Sequence, residues 1–96
     1  METQFYITLT LRTHKGLESF AKFFIGNNRH LAFSIFKQLK GSHNFSEENI
    51  LYFDFWEIEK EVPANLDLIT CTLNQLAENC RIITKELFKS ENLGNP

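Results

Sequence analysis

The sequence predicts an α+β domain, in the order ββαββα, in which a four-stranded antiparallel sheet carries two helices on one face. Residues 5–13 and 50–59 alternate between two sets of side chains, as strands do. Residues 29–40 and 73–89 repeat their apolar side chains at helical spacing. The length of 96 residues suits one hydrophobic core, so we expect a single domain over residues 1–96, with a frayed tail at 90–96.

The first half of the chain predicts a hairpin followed by a helix. The polar residues 13–16 end in Gly16 and are typical of a hairpin turn. Residues 17–25 fit a strand or a helix. We favour the strand because β-forming residues crowd its end, and a helix is the alternative. A break at Gly26 then leads into the helix at 29–40, with Gly41 at the position expected for a C′ residue.

The second half predicts two more strands and a second helix. The strand at 50–59 is apolar on both faces, so we expect both faces to be covered at least in part. Pro63 should end this strand and make residues 60–65 a connection, which leaves residues 66–71 as the fourth strand. Thr72 is a good N-cap for the second helix.

Composition excludes several classes of protein. The formal charge of −2, with ten basic and twelve acidic residues, argues against a nucleic-acid partner. The N-terminal residues lack the basic and apolar regions of a signal peptide, and no apolar run is long enough to span a bilayer. We therefore expect a cytoplasmic protein without a membrane partner, whose two cysteines stay reduced.

Neither catalysis nor a metal site is indicated by the spacing of reactive residues. Cys71 and Cys80 are nine residues apart, and no CxxC or HxxxH spacing occurs. No nucleophile elbow is present. Cys80 lies on the apolar stripe of the second helix, so we expect it to be a buried core residue. We predict no catalytic residues, metal or cofactor, and favour a protein that is not an enzyme.

Two polar features are candidates for binding. Asp54 lies between Tyr52 and Trp56 on one strand face, where a carboxylate needs a partner. Lys22 or Arg12 on another strand could form an ion pair with it, or it could bind a ligand. Separately, the start of the first helix favours an anion, and a positive charge there needs an acidic side chain or a bound anion to balance it. The anion-binding candidates are Asn27, Asn28, Arg29 and His30.

The ten Phe residues indicate more apolar surface than one small core can hide. If both helices cover one sheet face, the other keeps an aromatic surface, although the strand pattern leaves open which set of side chains faces the helices. We expect this surface to form a homodimer or bind another protein. The alternative is a small-molecule binder or minor enzyme with a pocket near Trp56, Asp54 and Lys22. The candidate residues are Phe20, Lys22, Phe24, Tyr52, Asp54 and Trp56.

Overall fold

The computed structural model describes residues 3–46 and 48–90. Its elements follow the predicted order: β1 (Gln4–Thr13), β2 (Gly16–Gly26), α1 (Arg29–Gln38), β3 (Leu51–Glu59), β4 (Val62–Thr70) and α2 (Leu73–Ser90). The four strands form one antiparallel sheet in the order β2-β1-β3-β4. The predicted α+β fold is confirmed. The predicted frayed tail lies outside the described residues from position 91 onward, and Ser90 is the last residue of α2.

The ambiguous segment at 17–25 is a strand, so the helical alternative is wrong. β2 pairs with β1 from Thr13 opposite Gly16 to Phe5 opposite Gly26, with two register shifts along the way. Gly16 has a φ of 113°, a conformation that L-residues rarely adopt and that glycine adopts freely. The turn therefore closes where the sequence predicts it, and the cross-strand pairing decides a segment whose periodicity is indecisive.

One face of the sheet packs against the helices and forms the core. Phe5, Ile7 and Leu9 of β1 join Phe53 and Phe55 of β3 in a buried cluster. Helix α1 and helix α2 add to the same cluster, through Ala32, Ile35, Phe36 and Ile83. The odd-numbered side chains of β1 and β3 thus face the helices. The even-numbered ones, which include Trp56, face away, and this settles the orientation that the sequence left open.

We call the sheet face opposite the helices the open face. It is made by side chains of β1, β2 and β3 that register pairs bring side by side. It includes Tyr6, Thr8, Thr10, Leu17, Phe20, Lys22, Phe24, Tyr52, Asp54 and Trp56. No helix among the described residues packs on it.

The prediction that Pro63 ends a strand is wrong. β4 begins at Val62, and Pro63 pairs with Ile58 of β3. Proline is tolerated there because β4 is an edge strand, whose outer side has no ladder bond to lose. Glu59 opposes Val62, and the two residues between them, Lys60 and Glu61, have φ values of 54° and 66°. Two successive positive φ values make a tight hairpin turn instead of the expected connection.

The end of α1 also differs from the prediction. The helix stops at Gln38, and the cap residue Leu39 is extended, with its N–H bonded to Phe36 O at 3.1 Å. Gly41 therefore does not serve as a left-handed C′ residue. A Cβ at Gly41 would lie 2.6 Å from the carbonyl oxygen of Thr70, so the glycine allows the chain to pass close to β4.

Polar side chains fix α2 at its start and in its middle. Thr72 Oγ1 accepts from Gln75 N at 3.2 Å, and Gln75 Oε1 accepts from Thr72 N at 2.9 Å, which is a capping box. The predicted N-cap is confirmed. Asn79 is fully buried and bonds both backbone groups of Lys40, accepting at 2.7 Å and donating at 2.8 Å. This side chain ties α2 to the segment that follows α1.

Candidate functional site

A groove of about 700 Å³ runs along the open face. Four of the six predicted aromatic-face residues line it: Phe20, Lys22, Asp54 and Trp56. Phe24 lies beside the groove, with its ring centroid 6.3 Å from that of Tyr6. The strand pairing thus brings together residues that are more than thirty positions apart in the sequence.

The groove has one strongly apolar wall. Leu17 and Phe20 on the edge strand β2 line this wall and are 67% and 60% exposed, and Phe24 beside the groove is 65% exposed. Large apolar side chains scattered singly over a surface are ordinary. These three lie on one strand and one sheet face, with Lys22 between Phe20 and Phe24. Exposed apolar side chains are therefore concentrated at this edge of the sheet, which is typical of binding sites.

Asp54 lies at the centre of the open face and is held by hydroxyl groups. Its Oδ2 accepts from Thr10 Oγ1 at 2.7 Å and from Thr8 Oγ1 at 3.1 Å. Both threonines are on β1, with Thr8 directly opposite Asp54. The predicted ion pair with Lys22 or Arg12 is wrong for the described residues, because the ion pairs among them do not include Asp54. Its charge is thus solvated by hydrogen bonds and not neutralised by a cation.

Thr8 links Asp54 to Trp56. The indole Nε1 of Trp56 donates to Thr8 Oγ1 at 3.1 Å, and the same hydroxyl donates to Asp54. Trp56 also stacks on Tyr6, with ring centroids 6.0 Å apart and planes 8° from parallel. Trp56 is therefore oriented by two contacts within the chain and remains partly exposed.

Lys22 turns its ammonium group toward the aromatic rings. Nζ lies 4.2 Å from the ring centroid of Tyr6 and 5.1 Å from that of Phe24. A cation over a ring face is attracted by the ring quadrupole. Tyr6 itself is 8% exposed, and this burial raises the pKa of its hydroxyl above the ordinary value. Lys22 and Asp54 thus carry opposite charges on the open face, and the ion pairs among the described residues do not join them.

Tyr52 belongs to a second, smaller hollow of about 270 Å³. Its hydroxyl accepts from Arg12 Nη2 at 3.1 Å and donates to Asn49 O at 3.0 Å. The ring of Phe45, which is 48% exposed, lies 6.3 Å from the Tyr52 ring. Because Thr10, Leu17 and Asp54 line both hollows, the two are parts of one continuous surface.

The predicted anion site lies away from the groove, at the start of α1. Asn28 is the N-cap and accepts from Leu31 N at 2.9 Å. Arg29 Nη2 bonds Glu57 Oε1 at 2.8 Å, and its guanidinium lies 5.3 Å from the ring centroid of Phe5. Glu57 is therefore the acidic side chain that the sequence leads us to expect there. Asn27 and His30 are exposed, and anion binding at the four residues stays a prediction.

Cys71 lies between β4 and α2, and Cys80 lies within α2. Both are free thiols of intermediate burial. Cys80 packs against the core cluster, as predicted, but it is partly and not completely buried. Burial raises the pKa of the Cys71 thiol to about 11, and the neighbouring Cys80 adds to the increase. Burial also raises the pKa of Cys80.

Within ranges 3–46 and 48–90, no three His, Cys, Asp or Glu side chains are grouped so that they could hold a metal ion. The helices in the same ranges are too short or too polar to cross a membrane.

Sequence reasoning missed the partners of Asp54 and part of the groove wall. The alternation in β1 puts Thr8 and Thr10 on the same face as Tyr6, but only the register of β1 on β3 places them against Asp54. Leu17 was missed for a different reason. A register shift between Leu9 and Thr10 changes which β2 side chains share a face, and a bulge of this kind has no signal in the periodicity.

Comparison of the chain with models of protein families, with curated proteins and with solved structures finds no match.

Proposed function

We propose that this chain is a small interaction module, without enzymatic activity of its own, that forms a homodimer through the open face. The observation that carries the proposal is the apolar surface of Leu17, Phe20 and Phe24 beside Trp56. Such a surface is costly to leave in water, and a second copy of the same chain is the partner that is always available at equal concentration.

The size of the open face is compatible with a dimer. The three strands of the open face have nine to eleven residues, so they are about 30–37 Å long and together span about 14 Å. This gives a flat outline on the order of 450 Å², and protruding rings make the accessible area larger. Stable interfaces bury about 800 Å² per partner, so a dimer would have to use the whole of the open face and the side chains around its edge.

The composition of the face also favours a protein partner. Aromatic residues are enriched at the centre of protein interfaces, and Trp and Tyr are the most frequent hot spots. The open face has Tyr6 and Trp56 in its middle, with Phe20 and Phe24 at one side. The hydroxyls of Thr8 and Thr10 donate to one oxygen of Asp54 and so offset part of the cost of removing water from the centre.

Light scattering coupled to size-exclusion chromatography tests the proposal. We expect the wild-type chain to elute with twice its mass of 11.3 kDa, and Phe24→Asp to elute as a monomer. Phe88→Asp is the matched control, because Phe88 is 55% exposed on α2, away from the open face. A wild-type monomer at high micromolar concentration, or equal loss of the dimer in both variants, contradicts the proposal.

A small-molecule binder is the second candidate, and the groove itself favours it. Its volume of about 700 Å³ lies within the range of ligand pockets, which is roughly 300–1,000 Å³. Lys22 and Asp54 supply opposite charges and Trp56 supplies an apolar wall. In this case the chain is a monomer, and a fragment library screened by quenching of Trp56 fluorescence gives saturable binders that Asp54→Asn weakens.

A further inference from the structure

We propose that the two copies meet in a defined register, in which Lys22 of each copy forms an ion pair with Asp54 of the other across a two-fold axis parallel to β1. This inference rests on the proposed homodimer and adds the contacts that would set its geometry. Its basis is the order in which residues of three adjacent strands lie across the open face.

Three residues form one row across the strands. Thr8 of β1 is the register partner of Lys22 on β2 and of Asp54 on β3. Neighbouring strands lie about 4.8 Å apart, so Lys22 and Asp54 lie about 10 Å apart on either side of Thr8. The row therefore reads cation, hydroxyl, anion from the edge strand to the third strand.

A row of this kind is self-complementary under one symmetry operation. Two sheets can lie face to face and be related by a 180° rotation about an axis that is parallel to β1 and passes above Thr8. This rotation puts β2 of one copy opposite β3 of the other. Lys22 of one copy then lies opposite the partner's Asp54, and the reverse pair forms on the other side of the axis. Isologous dimers are built from such reciprocal contacts. Packed sheets lie about 10 Å apart, a gap that a long lysine side chain can cross.

The neighbouring row supports the same axis. Tyr6 of β1 is the register partner of Phe24 on β2 and of Trp56 on β3. The same rotation puts the exposed ring of Phe24 opposite the partner's Trp56, and Tyr6 opposite the partner's Tyr6. One axis thus places opposite charges together in one row and aromatic rings together in the next.

Among the described residues, neither charge is neutralised by an ion pair. Asp54 Oδ2 takes both threonine hydrogen bonds, and the bonds among the described residues leave Oδ1 without a donor. The Lys22 ammonium lies over the Tyr6 and Phe24 rings, and the ion pairs of the described residues do not include it. Both groups therefore remain available to a partner, and opposite charges across an interface fix its register.

Charge reversal followed by mixing tests the ion pairs. Lys22→Glu places two acids opposite each other in the homodimer, and Asp54→Lys places two lysines opposite each other. We expect each variant alone to raise the dimer dissociation constant by about tenfold or more, because like charges repel across an interface. Mixing the two variants restores both ion pairs in a heterodimer. We expect the dissociation constant of this heterodimer to be equal to or lower than that of the wild-type dimer.

A milder pair of variants covers the case in which Asp54→Lys does not fold. Asn at position 54 keeps an oxygen that can accept from Thr8 and Thr10. Lys22→Glu combined with Asp54→Asn should dimerise more tightly than Lys22→Glu alone, because the repulsion is removed. Lys89→Glu, on an exposed residue of α2, is the control for a general effect of charge.

The outcomes separate this inference from the proposed function. A wild-type monomer overturns both. A wild-type dimer whose dissociation constant is unchanged by Lys22→Glu overturns only the ion pairs, and so does a mixture that dimerises no better than either variant alone. Weakening by Lys22→Glu, with recovery in the mixture or with Asp54→Asn, supports the register.

Discussion

The indole of Trp56 stacks on the ring of Tyr6, with centroids 6.0 Å apart, and donates its N–H to Thr8 in the adjacent row of the sheet. These two contacts hold Trp56 on the open face in one orientation without burying it completely. A large aromatic side chain that is already ordered loses little conformational entropy when a partner binds. This preorganisation is the reason for expecting Trp56 to be the main hot spot.

Trp56→Ala should weaken dimerisation more than it weakens the fold. Loss of a hot-spot Trp typically costs about 2 kcal/mol or more of association free energy. Phe53→Ala is the matched control, because Phe53 is one of the fully buried side chains of β3 on the helix side and its loss should cost about 3–5 kcal/mol of unfolding free energy. The measurements are the urea midpoint and the dimer dissociation constant. If Trp56→Ala destabilises the fold as strongly as Phe53→Ala while dimerisation is unaffected, Trp56 is a core residue and the interface hypothesis fails.

The hydrogen bond between Thr10 and Asp54 should give a measurable coupling energy in a double-mutant cycle. Asp54→Ala leaves two hydroxyls without their acceptor and should cost about 1–3 kcal/mol of unfolding free energy. Thr10→Ala should cost less, and the double variant should cost less than the sum of the two, because they share one hydrogen bond at 2.7 Å. Urea unfolding of the four proteins in a double-mutant cycle measures this coupling. Strict additivity would mean that the bond contributes nothing to stability.

Asn79→Ala should be among the most destabilising polar substitutions. It removes both bonds to the backbone of Lys40, leaves that N–H and that carbonyl without these partners, and empties a fully buried position. We expect a loss of about 2 kcal/mol or more in the free energy of unfolding. Asn74→Ala, on an exposed residue of the same helix, should change the stability by less than about 0.5 kcal/mol. Similar effects of the two substitutions would show that the two hydrogen bonds between Asn79 and Lys40 do not stabilise the fold.

The hairpin at residues 60 and 61 should gain stability from glycine. Glu61 has a φ of 66°, and the left-handed region costs a residue with a side chain roughly 1–2 kcal/mol. Part of this gain is offset by the entropy of glycine in the unfolded chain, so Glu61→Gly should raise the melting temperature modestly. Lys15→Gly, in the turn of the first hairpin where φ is not positive, should lower it. Destabilisation by both substitutions would contradict the turn geometry.

How far the sequence predicts this molecule depends on the range of the interactions involved. The element order, the turn at Gly16 and the N-cap at Thr72 follow from local patterns, and all three are confirmed. The fourth strand was predicted too short because Pro63 is compatible with an edge strand, and edge position is a property of the whole sheet.

The candidate site was predictable as a set of side chains but not as an arrangement. Alternation in β1, β2 and β3 identifies the aromatic residues of the open face. The pairing of β1 with β3 places Thr8 and Thr10 within hydrogen-bond distance of Asp54. The ammonium group of Lys22 lies over the Tyr6 ring instead. Charge alone predicts an ion pair there, whereas in the structure two threonine hydroxyls donate to one carboxylate oxygen.

Cys71 should react slowly with alkylating reagents at neutral pH. Its pKa is raised to about 11 by burial and by Cys80, so at pH 8 only about one thiol in a thousand is the reactive thiolate. The rate of carbamidomethylation of Cys71 by iodoacetamide, followed by mass spectrometry in Cys80→Ser, should rise about tenfold per pH unit above pH 8. A rate that levels off near pH 9 would indicate an unperturbed thiol.

The most direct test of the homodimer uses the fact that Trp56 is the one tryptophan of the chain. Its fluorescence therefore reports on the open face alone. When the protein is diluted through its dissociation constant, acrylamide quenching should increase and the emission should shift to longer wavelength, at the same concentration at which the mass falls from twice 11.3 kDa to one chain. A mass transition with unchanged quenching would put the interface elsewhere, and a single chain at all concentrations would contradict the dimer itself.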